Sequence, residues 1–336
     1  MGLIDEIREQ PQVLERVIEG NVESALGVAD LASGCTHSVV AARGTSDNAA
    51  RYAQYVWGTR NQLSVGLTTP SLFSLYDRPP LLTDALVVGI SQSGQSPDIV
   101  AVLEEGREQG RPTVAITNEP DSPLAANADV VVDLMAGEER AVAATKTYTA
   151  ELAVIGLISD ALRGGGDSLS PIPAAVAAVL DDEGVAETAV GSLSDMEHCA
   201  VLGRGYNHAT AFEWALKLQE LTYVVAQPFS TADFLHGPIA VIEPGYPVLA
   251  ITVQGPTYDE QVAALEQAAA MGAHVLTITD LTGPNGPSIP IPEGLEEWLT
   301  PIPAIVAAQV FSHRLTVARG LDPDRPRGLS KVTRTN

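Results

Sequence analysis

The sequence predicts an α/β fold made of two similar domains, each a parallel sheet with helices on both faces. From His37 onward, compact apolar runs end in small polar residues and lead into amphipathic stretches, which is the pattern of consecutive βα units. Such units give parallel strands that are covered by helices. The chain has 336 residues and domains average roughly 150 residues, so two hydrophobic cores are expected.

An internal repeat also predicts two copies of one module. Residues 85–117 align without gaps with residues 247–279, and each copy reads as strand, polar loop, helix, glycine and strand. Gly110 matches Gly272 at the end of the helix in each copy. The stretch before each copy matches as well, because an apolar run meets an Arg-Gly turn and then a helix. Two homologous lobes follow from this repeat.

Changes in composition along the chain predict its boundaries. Apolar positions at helical spacing near the N-terminus, interrupted by Pro11, predict two short helices. The sequence RGGGDSLSPIP is rich in Gly, Ser and Pro and predicts a linker between the lobes. We therefore expect N-terminal helices in 1–30, a first domain in 31–165, a linker and helix in 166–195, a second domain in 196–320 and a tail in 321–336.

The charge and the cysteine content exclude several classes of protein. Forty-two acidic against nineteen basic residues give a formal net charge of −23, which repels nucleic acids and anionic membranes. Any phosphate would have to be held locally by backbone N–H groups, hydroxyls and a helix N-terminus. Cys35 and Cys199 are too few for a disulfide framework or a zinc site. Since the N-terminus also lacks the apolar run of a signal peptide, we expect a cytoplasmic protein.

The polar loop SQSGQS follows a predicted strand and directly precedes a predicted helix. Ligands of open parallel sheets bind beyond the carboxyl ends of the strands, and a helix N-terminus attracts an anion. The side chains that would complete a cradle for a phosphate are those of Ser91, Gln92, Ser93 and Ser96. The alternative is an ordinary capped turn, because serine is a common N-cap residue.

The loop RGTSDNA offers the same chemistry one βα unit earlier, with Gly44, Thr45 and Ser46. Neither loop has the spacing of a dinucleotide or nucleoside-triphosphate motif, which favours one small phosphomonoester. The matching loops of the second lobe, GRGYNHA and TVQGPTYD, have fewer hydroxyls, so we expect that lobe to lack a phosphate site. The run VAATKT could add backbone groups and Thr145 to the cleft, or it is simply a helix start with Lys146 as a surface charge.

Glu213, Lys217 and Glu220 fall on one face of a predicted helix, at positions i, i+4 and i+7. Apolar residues surround them, which favours a semi-buried carboxylate that can move a proton beside a carbonyl. A weak surface salt-bridge ladder is the alternative. His236 lies in a Gly-Pro turn, and because imidazole groups in general can exchange protons in the physiological range, it could open a sugar ring, or it is structural. Lys331 is either an amine that reaches a carbonyl or a solvated basic end.

These pieces occur in one order along nearly the whole chain: EIREQP, GTS, SQSG, VAATKT, GRG, ALKLQE, HGP and PRGLSK. In this the chain resembles the sugar isomerase (SIS) domain family. It is similar in particular to the isomerase half of glucosamine-6-phosphate synthases and to stand-alone glucosamine-6-phosphate deaminases of that fold. The resemblance implies two tandem SIS domains, each a three-layer αβα, flavodoxin-like structure.

The resemblance also implies roles for the residues that match the family's motifs. Glu220 would move a proton between C1 and C2 of the sugar, supported by Lys217 and Glu213. His236 would assist ring opening and reach the neighbouring subunit's site. Lys331 would engage the open-chain carbonyl. The implied phosphate ligands are Thr45, Ser46, Ser91, Gln92, Ser93 and Ser96. The implied lining residues are Gly44, Val142, Ala144 and Ser330.

The expected protein is therefore a homodimer whose tail folds over a phosphorylated amino sugar, with no metal and no organic cofactor. Met1-Gly2 stands where the synthase has an N-terminal Cys, and Ala144 where it usually has Ser, so we expect the deaminase branch. The expected reaction converts glucosamine 6-phosphate and water to fructose 6-phosphate and ammonia. The alternatives are a synthase-like isomerase without a glutaminase domain, a phosphosugar aldose-ketose isomerase and a ketosamine-phosphate deglycase. A phosphosugar-sensing regulator would need a DNA-binding helix, which the acidic sequence disfavours.

Overall fold

The computed structural model describes residues 2–76, 78–281 and 287–331. The chain divides by its internal contacts into two compact units, each with one sheet. The first-sheet unit comprises the described parts of Gln12–Glu139, Lys146–Ser170 and Ser330–Asn336. The second-sheet unit comprises those of Met1–Pro11, Arg140–Thr145 and Pro171–Leu329. Each unit thus takes segments from three parts of the chain.

Three helices begin the chain, whereas the sequence predicted two. They are α1 (Leu3–Arg8), α2 (Gln10–Gly20) and α3 (Val22–Ala32). Pro11 is the second residue of α2. The first turn of a helix tolerates proline because its N–H groups have no intrahelical acceptor. Pro11 therefore helps to begin a helix and does not interrupt one.

Five parallel strands form the sheet of the first-sheet unit, in the order β2-β1-β3-β4-β5. They are β1 (His37–Ala41), β2 (Ser64–Leu67), β3 (Ala85–Ile90), β4 (Thr113–Thr117) and β5 (Val130–Asp133). The central strand β3 is buried at every position. A parallel strand covered on both faces needs a continuous apolar run, which explains the sequence ALVVGI.

Helices cover both faces of this sheet. They are α4 (Gly44–Asn61), α5 (Ser71–Ser74), α6 (Pro97–Glu108), α7 (Pro123–Ala126) and α8 (Lys146–Leu162), together with α3. The helices α3 and α4 contact α8, whereas α5 and α7 contact α6. Leu103 of α6 and Val87 of β3 belong to one buried apolar cluster. The unit therefore has the three αβα layers that the sequence predicted.

The second-sheet unit repeats this topology. Its parallel strands are β6 (His198–Gly203), β7 (Val225–Ser230), β8 (Pro247–Thr252), β9 (His274–Thr279) and β10 (Ser288–Pro290). The order β7-β6-β8-β9-β10 is the same as β2-β1-β3-β4-β5. The matched glycines of the sequence repeat, Gly110 and Gly272, both have a positive φ, of 65° and 99°. Glycine adopts that conformation without steric cost, so both copies keep it beyond the helix.

Helices cover the second sheet too. They are α9 (Ile172–Asp181), α10 (Glu183–Val190), α11 (Asn207–Thr222), α12 (Thr231–Leu235), α13 (Tyr258–Ala270) and α14 (Pro301–Ala318), with short 3₁₀ helices at Pro238–Val241 and Glu297–Leu299. The helix α11 contacts α14, whereas α12 contacts α13. Within the described part of the chain, no helix has the length and apolar character needed to cross a membrane.

Gly203 is a position at which the backbone of the second-sheet unit leaves no room for a side chain. A Cβ there would overlap the carbonyl oxygen of Asn207 and lie 2.9 Å from its carbonyl carbon. We expect Gly203→Ala to lower stability by about 1–3 kcal/mol, because backbone atoms must shift. The control Gly58→Ala meets no atom within 4 Å and should leave stability unchanged or slightly higher. Thermal unfolding measures both, and equal midpoints would contradict the expectation.

Candidate active site

The carboxyl ends of β1 and β3 form the topological switch point of the first sheet. These strands are paired side by side, with Ala41 opposite Gly89, and the chain continues from them in opposite directions to β2 and β4. Open α/β sheets bind ligands in the crevice at such a point. The two loops selected from the sequence, GTS after β1 and SQSG after β3, both begin here.

The SQSG loop is a tight turn that only glycine allows at its centre. Gly94 has a φ of 59°, and a Cβ on it would overlap the Ser122 hydroxyl. Gly94 N donates to Ser91 Oγ at 3.2 Å, and Gln95 N donates to Ser93 Oγ at 3.3 Å. The loop is therefore held by its own serines, which fixes the direction of its backbone groups.

Ser96 occupies the N-cap position of α6 but makes no capping hydrogen bond with its side chain. Its backbone is extended, and Pro97 is the first helical residue. The ordinary capped turn, the alternative interpretation of this sequence, lacks its defining bond here. The positive end of the α6 dipole is thus left without a hydroxyl cap, as an anion site at this helix would require.

An ion pair joins the two loops of the switch point. Arg43, the residue before α4, places Nε 2.8 Å from Oδ2 of Asp98 in the first turn of α6. The Asp98 side chain has no exposed surface, so the Arg43 charge is what compensates it. The sequence pattern does not reveal this pair, although the Arg-Gly turn of the repeat includes Arg43.

The GTS loop forms the first turn of α4, where Gly44 has a φ of 53° and Thr45 is half-buried. Ser46 is buried, and its Oγ donates to Glu151 Oε1 of α8 at 2.7 Å. The sequence suggested that this hydroxyl faces a phosphate. In the structure this hydroxyl donates its hydrogen to the Glu151 carboxylate. An anion at this loop would therefore bind to backbone N–H groups at the N-terminus of α4.

Glu139, which the sequence did not reveal, is a buried carboxylate beyond the end of β5. Its Oε1 accepts from Thr147 N at 3.1 Å, and its Oε2 accepts from Thr147 Oγ1 at 2.8 Å and from Lys331 Nζ at 2.7 Å. The Lys331 side chain is 25% exposed, whereas that of Glu139 has no exposed surface. Lys331 is therefore anchored and is not a solvated basic end.

In the second-sheet unit, α11 carries the charged stripe that the sequence predicted. Lys217 Nζ lies 2.5 Å from Glu220 Oε2 and 3.3 Å from Glu213 Oε1. The side chains of Lys217 and Glu213 have no exposed surface, whereas that of Glu220 is 23% exposed. A surface salt-bridge ladder is excluded by this burial. Of the two carboxylates, only Glu220 can be reached by a substrate.

The buried amine of Lys217 stays charged. Burial favours the neutral amine and so acts to lower the pKa of Lys217, but the charges of Glu213 and Glu220 outweigh burial and raise that pKa. A lysine in this state cannot accept a proton near neutral pH. Lys217 is thus a fixed positive charge beside Glu220, and Glu220 is the group of the stripe that could exchange a proton.

The other predicted residues of the second-sheet unit lie apart from the α11 stripe in sequence. His236 is exposed in the turn between α12 and the 3₁₀ helix Pro238–Val241. Its backbone N–H donates to the backbone carbonyl of Asp233 at 3.1 Å. Val142 and Ala144 are half-buried in the segment Arg140–Thr145, and Ser330 of the first-sheet unit is exposed. The predicted site residues are therefore divided between the first-sheet unit and the second-sheet unit.

The matching switch point of the second sheet is filled by a carboxylate. A Cβ atom added to Gly255 would lie 2.6 Å from Oε2 of Glu297, and one added to Gly205 would lie 3.2 Å from Oε1 of Glu297. These glycines follow β8 and β6, and an Arg204–Glu260 ion pair joins the two loops as Arg43–Asp98 does in the first unit. Burial and the nearby charge of Asp280 raise the pKa of Glu297. An anion would be repelled from this crevice.

Lys217 gives a direct test of the buried charge cluster. We expect Lys217→Met to lower stability by about 3–5 kcal/mol, because Glu213 is left buried without its counter-charge. The double variant Glu213→Gln with Lys217→Met should recover much of that loss. The control Arg111→Met breaks a partly exposed ion pair with Asp84 and should cost less than about 1 kcal/mol. Thermal unfolding measures all three, and equal losses for Lys217→Met and Arg111→Met would contradict the assignment.

Known proteins share both the sequence pattern and the fold. The sequence model of the SIS domain matches residues 33–159 and 192–284. An isomerizing glutamine–fructose-6-phosphate aminotransferase of Thermococcus kodakarensis is 32% identical, over 98% of this chain and 57% of that relative. Its Pyrococcus horikoshii counterpart is 33% identical over the same shares. The chain thus spans less than two thirds of these relatives.

Solved structures agree with this match. The C-terminal domain of glucosamine-fructose-6-phosphate aminotransferase from Francisella tularensis superimposes with a TM-score of 0.88 at 25% identity, over 96% of this chain and 98% of that one. A glucosamine-6-phosphate deaminase from Thermotoga maritima shares the fold, with a TM-score of 0.82 at 21% identity over 99% of each chain. The chain therefore belongs to the SIS domain family, as its motifs predicted, and it resembles the isomerase part of these aminotransferases.

Proposed function

We propose that the chain is an isomerising deaminase that converts glucosamine 6-phosphate and water to fructose 6-phosphate and ammonia. The observation that carries this proposal is the partly exposed carboxylate of Glu220, 2.5 Å from the buried amine of Lys217. A carboxylate beside a fixed positive charge suits transfer of a proton next to a carbonyl, since that charge stabilises the enolate that forms.

The substrate phosphate is assigned to the first switch point. The support is the uncapped N-terminus of α6 and the tight turn around Gly94. Backbone N–H groups and the first turn of α4 would add to the cradle, which is needed because the net charge of −23 opposes an anion elsewhere. The side chains assigned to the phosphate are Thr45, Ser91, Gln92, Ser93 and Ser96, whereas the hydroxyl of Ser46 donates to Glu151.

The proposed chemistry has three steps. His236 assists opening of the sugar ring, which exposes the C1 aldehyde beside the C2 amine. Glu220 then removes the proton from C2 and returns it to C1, while Lys217 and Lys331 stabilise the negative charge that develops on the oxygen. The product of this shift is a C2 imine. Water adds to that imine, ammonia leaves, and the C2 ketone of fructose 6-phosphate remains.

A second candidate is a phosphosugar aldose-ketose isomerase, which carries out an isomerisation like that for which the related aminotransferases are named but handles no nitrogen. The observation that favours it is the 32–33% identity to proteins named isomerizing aminotransferases. Both candidates use Glu220 for the same proton shift. They differ in the substrate, because the second requires conversion of a sugar 6-phosphate that carries no amine.

Glu220→Gln tests the proposed chemistry. We expect ammonia release from glucosamine 6-phosphate to fall at least about 100-fold, because the amide cannot accept the C2 proton. The control Glu266→Gln, on the exposed face of α13, should keep full activity. Coupled assays for ammonia and fructose 6-phosphate measure the rates. Turnover of glucose 6-phosphate without ammonia release from any amino sugar would favour the second candidate, and equal rates for both variants would remove the role of Glu220.

We also propose that the active form is a homodimer in which His236 serves the partner's substrate. The support is that His236 is exposed and has the exposed apolar residues Leu235 and Val241 nearby in sequence. Exposed apolar side chains beside a polar functional group are typical of an interface.

Subunit complementation tests this sharing. The variants His236→Ala and Glu220→Gln should each be inactive alone, whereas their co-expressed mixture should regain about a quarter of the wild-type activity, because half of the dimers are mixed and each has one intact site. Specific activity after co-purification measures this, and light scattering reports the dimer. A mixture no more active than its parents would assign His236 to its own subunit.

A further inference from the structure

The Glu139 carboxylate accepts hydrogen bonds that include three from Thr147 and Lys331, and none of the proposed catalytic steps uses it. Two come from Thr147, the second residue of α8, through its backbone N and its Oγ1. The third comes from Lys331 Nζ at 2.7 Å. These residues are 8 and 192 positions away in the sequence. Glu139 therefore connects Lys331 to the beginning of the buried helix α8.

The same helix leads from Glu139 to the loop after β1. Thr147 and Glu151 are four residues apart on α8, so their side chains lie on one face, about 6 Å apart. Glu151 Oε1 accepts from Ser46 in the first turn of α4 at 2.7 Å. One turn of α8 thus separates the anchor of Lys331 from the partner of Ser46.

The backbone around Glu139 is also fixed at the carboxyl edge of the first sheet. Ala136 N donates to Asn118 Oδ1 at 2.9 Å, and Asn118 Nδ2 donates to Gly137 O at 2.8 Å. Asn118 directly follows β4. The segment that presents Glu139 is therefore attached to the edge at which the phosphate is proposed to bind.

We propose that Glu139 is the positioning residue for Lys331, and that its carboxylate sets where the tail amine meets the open-chain sugar. This inference rests on the proposed function, in which Lys331 stabilises charge on the sugar oxygen. A lysine side chain has four rotatable bonds, and a group that is not oriented before the reaction loses much of its effect. Glu139 supplies this orientation because its own position is fixed by Thr147 and by burial.

The kinetic consequence is a loss in kcat with little change in KM. We expect Glu139→Gln to lower kcat for ammonia release about 10- to 100-fold. The phosphate loops, which do not include Glu139, should keep KM within about twofold of wild type. Glu139→Asp keeps the negative charge and should recover part of kcat. A Gln variant as active as the Asp variant would overturn the inference.

A double-mutant cycle separates positioning from a general structural role. If Glu139 acts through Lys331, then Glu139→Gln should lower kcat no further in a Lys331→Met background. Thr147→Val is the matched control, since it removes one hydrogen bond to Glu139 but keeps the pair with Lys331. An equal loss of kcat in Thr147→Val and Glu139→Gln would assign Glu139 to the capping of α8 and overturn the inference.

A readout without substrate keeps this test independent of the proposed function. Trypsin cuts after lysine, so the rate of cleavage after Lys331, followed by mass spectrometry on the native protein, reports whether its side chain is held. We expect faster cleavage in Glu139→Gln than in wild type or Thr147→Val. An unchanged cleavage rate would overturn the inference even if ammonia is released. Faster cleavage in a protein that releases no ammonia would instead overturn the proposed function alone.

Discussion

Parallel pairing of the strands is the constraint on which the candidate site depends. When strands run in one direction, every loop that follows a strand lies at the same edge of the sheet. Gly44 of the GTS loop and Ser91 of the SQSG loop are 47 residues apart in the sequence. The two loops lie at the same edge of the sheet because β1 and β3 are neighbouring strands. The segment that carries Glu139 reaches this edge for the same reason, since it follows β5.

Local pattern was enough to predict the αβα layers, the repeat and the loops at strand ends. It was also enough for the α11 stripe, because helical spacing alone places Glu213, Lys217 and Glu220 on one face. It was not enough for the number of N-terminal helices, since a proline within a helical pattern can begin a helix as well as end one.

Side-chain pairs between distant segments could not be predicted. Lys331 and Glu139 are 192 residues apart, and Arg43 and Asp98 are 55 apart. Ser46 is an example. The sequence around it suggested a hydroxyl that binds phosphate, but this hydroxyl donates a hydrogen bond to Glu151, which is 105 residues away. Such pairs depend on how the helices pack on the sheet, which no window of sequence contains.

The carboxylate of Glu297 gives the duplicated module a permanent asymmetry. It lies in the crevice that the second sheet inherits from the common topology, near the negative charge of Asp280. Because this carboxyl group is part of the chain, it cannot leave the crevice and be exchanged for a metabolite. The second copy therefore keeps the shared topology with Glu297 in its switch-point crevice, and it contains the helix α11 that carries Glu220.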